Sequence, residues 1–315
     1  VTDTAALRDL CVDLARALAD RVRPELGAAA ARRHGQVGAG GDVTFSIDEG
    51  AEAELARFLR ERAPHLAWYS EDQGLISPPG ADTVLIVDPI DGTRPAIAGF
   101  EAACVSVAAA PLGDGNPRMG DVTVGVIVEI KTGREYVAVR GEGLRSTDPV
   151  RLSPETDLSR LFWTFGFRGR PARELVTVLG DLIDRSSVGG GVFDLGSACF
   201  DSVCVLTGQL DAFLEPGPRM IDEVPGTRAA FERVGDGAVL NNAPYDLAAA
   251  VLCLREGGAV VTDCAGRTLA DRPLLGSGHD FQMSILASAN AELHDALVAE
   301  MDRGIARLRA SVAVG

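Results

Sequence analysis

Apolar residues at Leu7, Leu10, Cys11, Leu14, Ala15, Leu18 and Val22 recur at intervals of three and four. That spacing lines one face of a helix, and Pro24 closes it. A Gly- and Ala-rich loop is expected at Gly35–Gly41. Asp42-Val43-Thr44-Phe45-Ser46-Ile47-Asp48 then leads into a second amphipathic helix with Ala51, Leu55, Phe58 and Leu59 on one face. Val84-Leu85-Ile86-Val87 is a short unbroken apolar run, the pattern of a buried strand, and it ends in the turn residues Asp88-Pro89-Ile90-Asp91-Gly92-Thr93. Further strands are expected at Cys104–Ala109, Val122–Ile130 and Glu135–Val139, the last two joined by Lys131-Thr132-Gly133-Arg134. Residues 1–148 therefore predict an α+β half, helices on a mainly antiparallel sheet.

Beyond Asp148 the pattern becomes alternation. Strands are expected at Leu161–Phe165, Ser186–Val188, Leu210–Leu214 and Ala259–Thr262. Helices are expected at Ala172–Asp184, from Gly196-Ser197 onward, near Thr227–Arg233 and Leu247–Arg255, and at Ala291–Leu308. Strand–helix alternation predicts an α/β second half over residues 149–315. No low-complexity linker separates the halves, so they are expected to share an interface.

Composition narrows the function classes. The chain has 315 residues, 46% hydrophobic and 24% charged, with ample apolar material for a core. Its 30 Lys+Arg against 45 Asp+Glu give a net charge of −15. Binding a phosphate backbone needs cations that displace counterions, so nucleic acid is read as an unlikely partner. Charged residues punctuate Val1–Asp20, unlike a signal peptide. The longest weakly polar run, Ala102–Leu112, falls far short of the roughly 20 residues that cross a bilayer. Six scattered cysteines without a C-x-x-C pair read as reduced, buried thiols. A cytoplasmic protein without a membrane partner is expected. The four histidines lack metal-ligand spacing and receive no role.

The chemistry lies in Asp88-Pro89-Ile90-Asp91-Gly92-Thr93. Two carboxylates at the end of a buried strand cost several kcal/mol each unless a cation matches them. With the Ile90 carbonyl they form a hard oxygen set of the kind Mg²⁺ takes. Gly92 permits close backbone approach, and Gly92 and Thr93 offer amides at a helix start, where a phosphate can be cradled. The plainer alternative is an acidic turn with Asp91 as an N-cap.

The hexapeptide matches the D-P-[IL]-D-G-[ST] signature of the inositol monophosphatase family, Mg²⁺-dependent phosphatases in a superfamily with fructose-1,6-bisphosphatase. Other segments match in order. Asp42-x-Thr44-x-x-x-Asp48 resembles D-x-V-T-x-x-D, and Ser70-Glu71-Asp72 resembles G-E-E. Gly196-Ser197-Ala198 followed by Gly208-x-Leu210-Asp211-Ala212-Phe213 resembles G-S-A-A…G-x-x-D-A-F. For the last signature, W-D-x-A-A-G, two sites compete. Ile221-Asp222 follows without a gap, whereas Tyr245-Asp246-Leu247-Ala248-Ala249-Ala250 requires an insertion at about 216–242. The latter is preferred because Arg255-Glu256-Gly257-Gly258-Ala259-Val260-Val261-Thr262-Asp263 continues the family pattern.

The resemblance implies a layered αβαβα sandwich of the inositol monophosphatase and fructose bisphosphatase type, commonly a homodimer. It implies two or three Mg²⁺ held by Glu71, Asp88, Asp91, Asp246 and the Ile90 carbonyl. Asp48, Thr93 and Glu71 would activate the attacking water. Gly92, Thr93, Gly196, Ser197, Ala198, Glu215 and Asp246 would contact a small phosphorylated polyol, sugar or nucleoside. A 3′(2′),5′-bisphosphate nucleotidase and a non-catalytic regulatory protein with the same fold are the alternatives. Taken alone, Asp48 can equally begin a helix and Glu71 can be a surface acid. Departures from the family include Arg94-Pro95-Ala96 after the hexapeptide, Tyr245 in place of Trp, and no lysine in Val37–Gly41. Arg94, Arg168 and Arg219 are read as surface residues in preference to ligands for a second anion.

Overall fold

In the computed structural model, which describes residues 3–28, 34–37, 43–113 and 115–314, the first long helix is α1 (Thr4–Val22). A two-stranded ribbon of β1 (His34–Val37) and β2 (Val43–Phe45) follows, so residues 35–37, expected in a loop, pair as a strand. Asp42 and residues 38–41 lie outside the described residues. Helix α2 (Ser46–Arg62) comes next.

A seven-stranded sheet is built from β3 (Ala67–Ser70), β4 (Gly74–Ile76), β5 (Thr83–Asp91), β6 (Cys104–Pro111), β7 (Val124–Glu129), β8 (Glu135–Val139) and β9 (Gly143–Ser146), in the order β4-β3-β5-β6-β7-β8-β9. Only β3 and β5 run parallel. The short helix α3 (Thr93–Ala98) leaves the end of β5.

The second sheet has order β11-β10-β12-β14-β13, from β10 (Phe162–Phe165), β11 (Gly191–Phe193), β12 (Ala212–Glu215), β13 (Val260–Thr262) and β14 (Ile285–Ser288). Its β10 pairs parallel to β11 and β12, and β14 pairs antiparallel to β12 and β13. Helices α4 (Ala172–Ser186), α5 (Ala198–Thr207), α6 (Gly217–Glu223), α7 (Arg228–Val234), α8 (Pro244–Glu256) and α9 (Ala291–Val314) complete the chain. Residues 186–188, expected as a strand, finish α4 and begin a turn; the strand starts at Gly191.

Three apolar cores stack these elements into helix, sheet, helix, sheet and helix layers, the αβαβα sandwich. In one core α1 and α2 pack on the outer face of the first sheet. In the second α5 and α8 lie between the sheets. In the third α4, α6, α7 and α9 cover the far face of the second sheet. Strand β5 shows why its run is unbroken. Val84 and Ile86 point into the middle layer, and Leu85 and Val87 into the outer one. Both faces are covered, so alternation is lost. For the same reason α8 is apolar on every side, with Leu247 through Leu254 all buried. Residues 216–242, expected as an insertion, send α6 and α7 into the outer core through Met220, Ile221 and Phe231.

The middle layer is held thin by small residues. A Cβ on Gly125 of β7 would stand 3.0 Å from the Ala249 carbonyl oxygen and 3.2 Å from its Cα. Overpacking there costs about 1–3 kcal/mol. Ala249→Leu is therefore expected to lower the urea midpoint, while Ala53→Leu on the exposed side of α2 changes stability by less than about 0.5 kcal/mol. Equal midpoints for the two variants would contradict this packing.

Candidate active site

Asp88 and Asp91 are three residues apart on β5, an odd spacing that in a regular strand points them to opposite faces. The pairing with β6 shifts between them: Asp88 faces Ser106 and Asp91 faces Cys104, three steps against two. This one-residue bulge turns both carboxylates to the same side. Pro89 suits it because it has no amide proton to place in the ladder. The Asp88 Oδ1 accepts from the Ile90 amide at 2.9 Å, which tightens the bend. At Gly92 φ is +89°, and a Cβ would lie 2.6 Å from the Ala102 carbonyl oxygen and 2.8 Å from the Ser197 Cβ. Only glycine fits.

Asp91 is fully paired by the start of α5. Ser197 Oγ donates to its Oδ2 at 2.7 Å, the Cys199 amide donates to Oδ2 at 2.6 Å, and the Ala198 amide to Oδ1 at 3.2 Å. The Gly196-Ser197-Ala198 turn lines the cavity, yet the donors of Ser197 and Ala198 hold Asp91 in place of substrate. Two other aspartates share a different device. Asp48 and Asp246 each occupy the third position of a helix, α2 and α8. One oxygen of each closes the helix start, Asp48 Oδ2 accepting from the Phe45 amide at 2.8 Å and Asp246 Oδ2 from the Ala243 amide at 2.6 Å. The other Asp48 oxygen accepts from Thr93 Oγ1 at 3.1 Å, and that hydroxyl also lies 3.2 Å from the Ile90 carbonyl oxygen.

Carboxylate oxygens of Asp88, Asp91 and Asp246 lie within 4.8 Å of one another. Asp222, the competing choice, stands apart on α6, exposed and 3.7 Å from His279. The three acids open onto a cavity of about 350 Å³ that Glu71, Ile90, Gly92, Thr93, Gly196 and Tyr245 also line. Asp48, Glu71, Asp88 and Ile90 share a smaller recess of about 10 Å³ beside it. Burial, reinforced by the charges of Asp246, Asp91 and Glu71, pushes the Asp88 carboxyl well above the usual carboxylate range. Burial also raises Asp91. Asp246 is pushed up to about 7 by burial and the Asp91 charge. A buried, all-oxygen, mutually repelling set of this kind fits a hard divalent cation such as Mg²⁺.

Two expected positions differ. Glu215 does not line the cavity; it is completely buried and pairs with the guanidinium of Arg170, with its Oε1 on the Gly217 amide at 2.8 Å. Arg219 is not at the surface. It is buried against Glu223, Asp302 and the Cys264 carbonyl. Arg94 and Arg168 line the cavity, Arg168 as the exposed residue expected and Arg94 half-buried with its guanidinium over the Phe45 ring at 5.6 Å. Sequence reading missed Arg170, Asn241, Asn242 and Gln282, which line it as well. The Gly-rich turn Gly166-Phe167-Arg168-Gly169-Arg170 was the available signal. All six cysteines are buried and free of disulfides. His294 is core, between Thr262 Oγ1 and Ser288 Oγ at 2.9 Å each.

The family model for the inositol monophosphatase family matches residues 3–305. The chain belongs to that family. Among solved structures, the extragenic suppressor protein SuhB of Bartonella henselae aligns with a TM-score of 0.71 at 22% identity, over 95% of this chain and 99% of that one. The Thermotoga maritima IMPase aligns with a TM-score of 0.68 at 20% identity, over 95% and 98%. Curated relatives include the Nus factor SuhB of Escherichia coli K12, 24% identical over 81% of this chain and 85% of the relative. That of Pasteurella multocida is 25% identical over 76% of each. The designation Nus factor links these relatives to transcription and so overturns the expectation that nucleic acid is an unlikely partner. A net charge of −15 is a sum over the whole chain and does not describe any one face. Among the described residues no helix is long and apolar enough to cross a membrane.

Because Asp246 titrates near 7 in place of 3.8, the cation-free folded chain holds a proton that the unfolded chain has released. The stability this provides is complete below about pH 4 and is lost as pH rises through about 7. In chelator the Tm is expected to fall across that window, and excess Mg²⁺ is expected to raise it most at the alkaline end. A Mg²⁺-induced Tm shift that is constant between pH 5 and 8 would contradict the acid cluster as its origin.

Proposed function

We propose that the chain is a Mg²⁺-dependent phosphomonoesterase acting on a small phosphorylated polyol, sugar or nucleoside. The observation that carries this reading is the Thr93–Asp48 hydrogen bond set beside the Asp88–Asp91–Asp246 cluster. Asp88, Asp91, Asp246, Glu71 and the Ile90 carbonyl would hold the cations. When bound, Mg²⁺ supplies activation of water and neutralisation of phosphoryl charge.

The protein's own groups do the rest. Thr93 commits its proton to Asp48 or to the Ile90 carbonyl, which leaves its oxygen lone pairs to accept from and orient a water. Asp48 is fixed by its second oxygen on the Phe45 amide, so it accepts that proton without moving. The Gly92 and Thr93 amides at the start of α3 receive phosphoryl oxygens. Ser197 and the first amides of α5 keep Asp91 aligned. No covalent phosphoenzyme is required. A homodimeric, cytoplasmic enzyme is part of the same reading.

The name of the curated relatives favours a second reading, a regulatory role in which the fold is kept for binding a partner. Phosphate release from a panel of inositol, sugar and nucleoside phosphates, with Mg²⁺ present and chelated, separates the two. No Mg²⁺-stimulated release from any ester would reject the phosphatase.

Within the phosphatase reading, Asp91→Asn is expected to reduce phosphate release to background. Asp48→Asn and Thr93→Val are each expected to lower kcat by about 10²–10⁴-fold. Asp222→Asn, remote from the cluster, is expected to retain wild-type turnover. A strong loss in Asp222→Asn together with normal turnover in an Asp246→Asn variant would reverse the assignment.

A further inference from the structure

Arg170 lies in the cavity wall and is almost wholly buried, with 6% of its side chain exposed. Its guanidinium is fixed from behind by Glu215, which is wholly buried, and from the sides by the Arg168 carbonyl and, at 3.3 Å, Asn242 Oδ1. Its Nε has no hydrogen-bond partner although it is buried. A buried N–H left unmatched costs about 1–3 kcal/mol. The backbone is shaped to admit this group. A Cβ on Gly166 would strike the Glu215 Oε2 at 2.2 Å and the Arg170 guanidinium at 3.2 Å.

Two further guanidiniums, those of Arg94 and Arg168, line the same cavity. Arg168 and Arg170 share that wall with Asp194 and Asp246. Of the acids lining the cavity, Glu71, Asp88, Asp91 and Asp246 belong to the proposed cation site. Asp201 is buried and engaged by Thr164 Oγ1 at 3.0 Å, and burial pushes it well above the usual carboxylate range. The remaining wall carries the guanidiniums of Arg94, Arg168 and Arg170 beside Asp194 and the Thr164-bonded Asp201, with Glu215 behind Arg170. A guanidinium held rigid is the group that recognises carboxylate or phosphate oxygens.

We infer that the leaving group of the substrate carries a second anionic group, a carboxylate or a phosphate, bound by Arg170 together with Arg168. Glu215, expected to contact substrate, instead positions Arg170. This rests on the phosphatase reading of the site and specifies its substrate class.

The test compares kcat/KM of the Mg²⁺-loaded protein for neutral-tailed esters, glycerol 2-phosphate and inositol 1-phosphate, with that for 3-phosphoglycerate and a sugar bisphosphate. The anion-bearing esters are expected to be favoured at least tenfold, mainly through KM. Preference for 3-phosphoglycerate over the bisphosphate, or the reverse, identifies which anion the wall takes. Arg168→Ala and Arg170→Lys are expected to raise KM for anion-bearing esters about tenfold with a smaller change for neutral ones. Because removing Arg170 alone strands Glu215, the paired change Arg170→Met with Glu215→Leu is the second variant, and it is expected to abolish the preference.

Equal or better turnover of the neutral esters, or variants that shift both classes alike, would overturn the inference and leave the phosphatase standing. If no ester is hydrolysed, the phosphatase reading fails. Calorimetric titration of glycerol 2-phosphate and 3-phosphoglycerate with Mg²⁺ present then decides the inference alone: tighter binding of 3-phosphoglycerate supports it, and equal, weaker or absent binding overturns it.

Discussion

Three carboxylates that withdraw from water into one cavity repel one another, and the whole arrangement depends on how the fold tolerates that. Taking a charge out of water costs several kcal/mol after relaxation. The protein offsets part of the cost with fixed donors, chiefly Ser197 Oγ and the Cys199 amide on Asp91. It leaves the rest unmet, which is why Asp88 and Asp246 resist ionising without a cation. The acids reach the site by two routes: Asp88 and Asp91 on a bulged strand end in the first sheet, and Asp246 on the first turn of a helix lying between the sheets. The layered fold is what lets these routes converge.

Much of this was legible in the chain. The apolar spacing of α1 and the unbroken run in β5 announced a covered helix face and a strand buried on both sides. Asp246 was preferred to Asp222 because the segment after it continues the family pattern, and α8 carries it beside Asp88 and Asp91. What escaped depends on long-range pairing. Strands β3, β4 and β14 are three or four residues long, too short to carry a period, and exist because neighbouring strands pair with them. The burial of Glu215 could not be read because its partner Arg170 is far from it in sequence and meets it only across the β10–β12 pairing. Nor does spacing reveal that Ser197 serves Asp91, which lies 106 residues earlier.

Family membership and chemistry are separate matters here. The fold is common to proteins named as inositol monophosphatases and to one named as an extragenic suppressor, SuhB, and proteins named as Nus factors are similar in sequence. The cavity, not the fold, has to distinguish a turnover site from a docking module. Its wall carries arginines at 94, 168 and 170, so its partner is set by this chain's own side chains.

The double duty of the site aspartates bears on how such families lose function. Asp48 and Asp246 each spend one oxygen on the first turn of a helix, and Asp91 gathers the opening amides of α5. A descendant that abandons catalysis still needs these side chains to begin three helices correctly. Selection for folding alone therefore preserves them, and a homologue that retains every acid is not thereby shown to turn over substrate. The Asp48 Oδ1–Thr93 contact, which closes no helix start, is the more discriminating mark of a site kept for turnover.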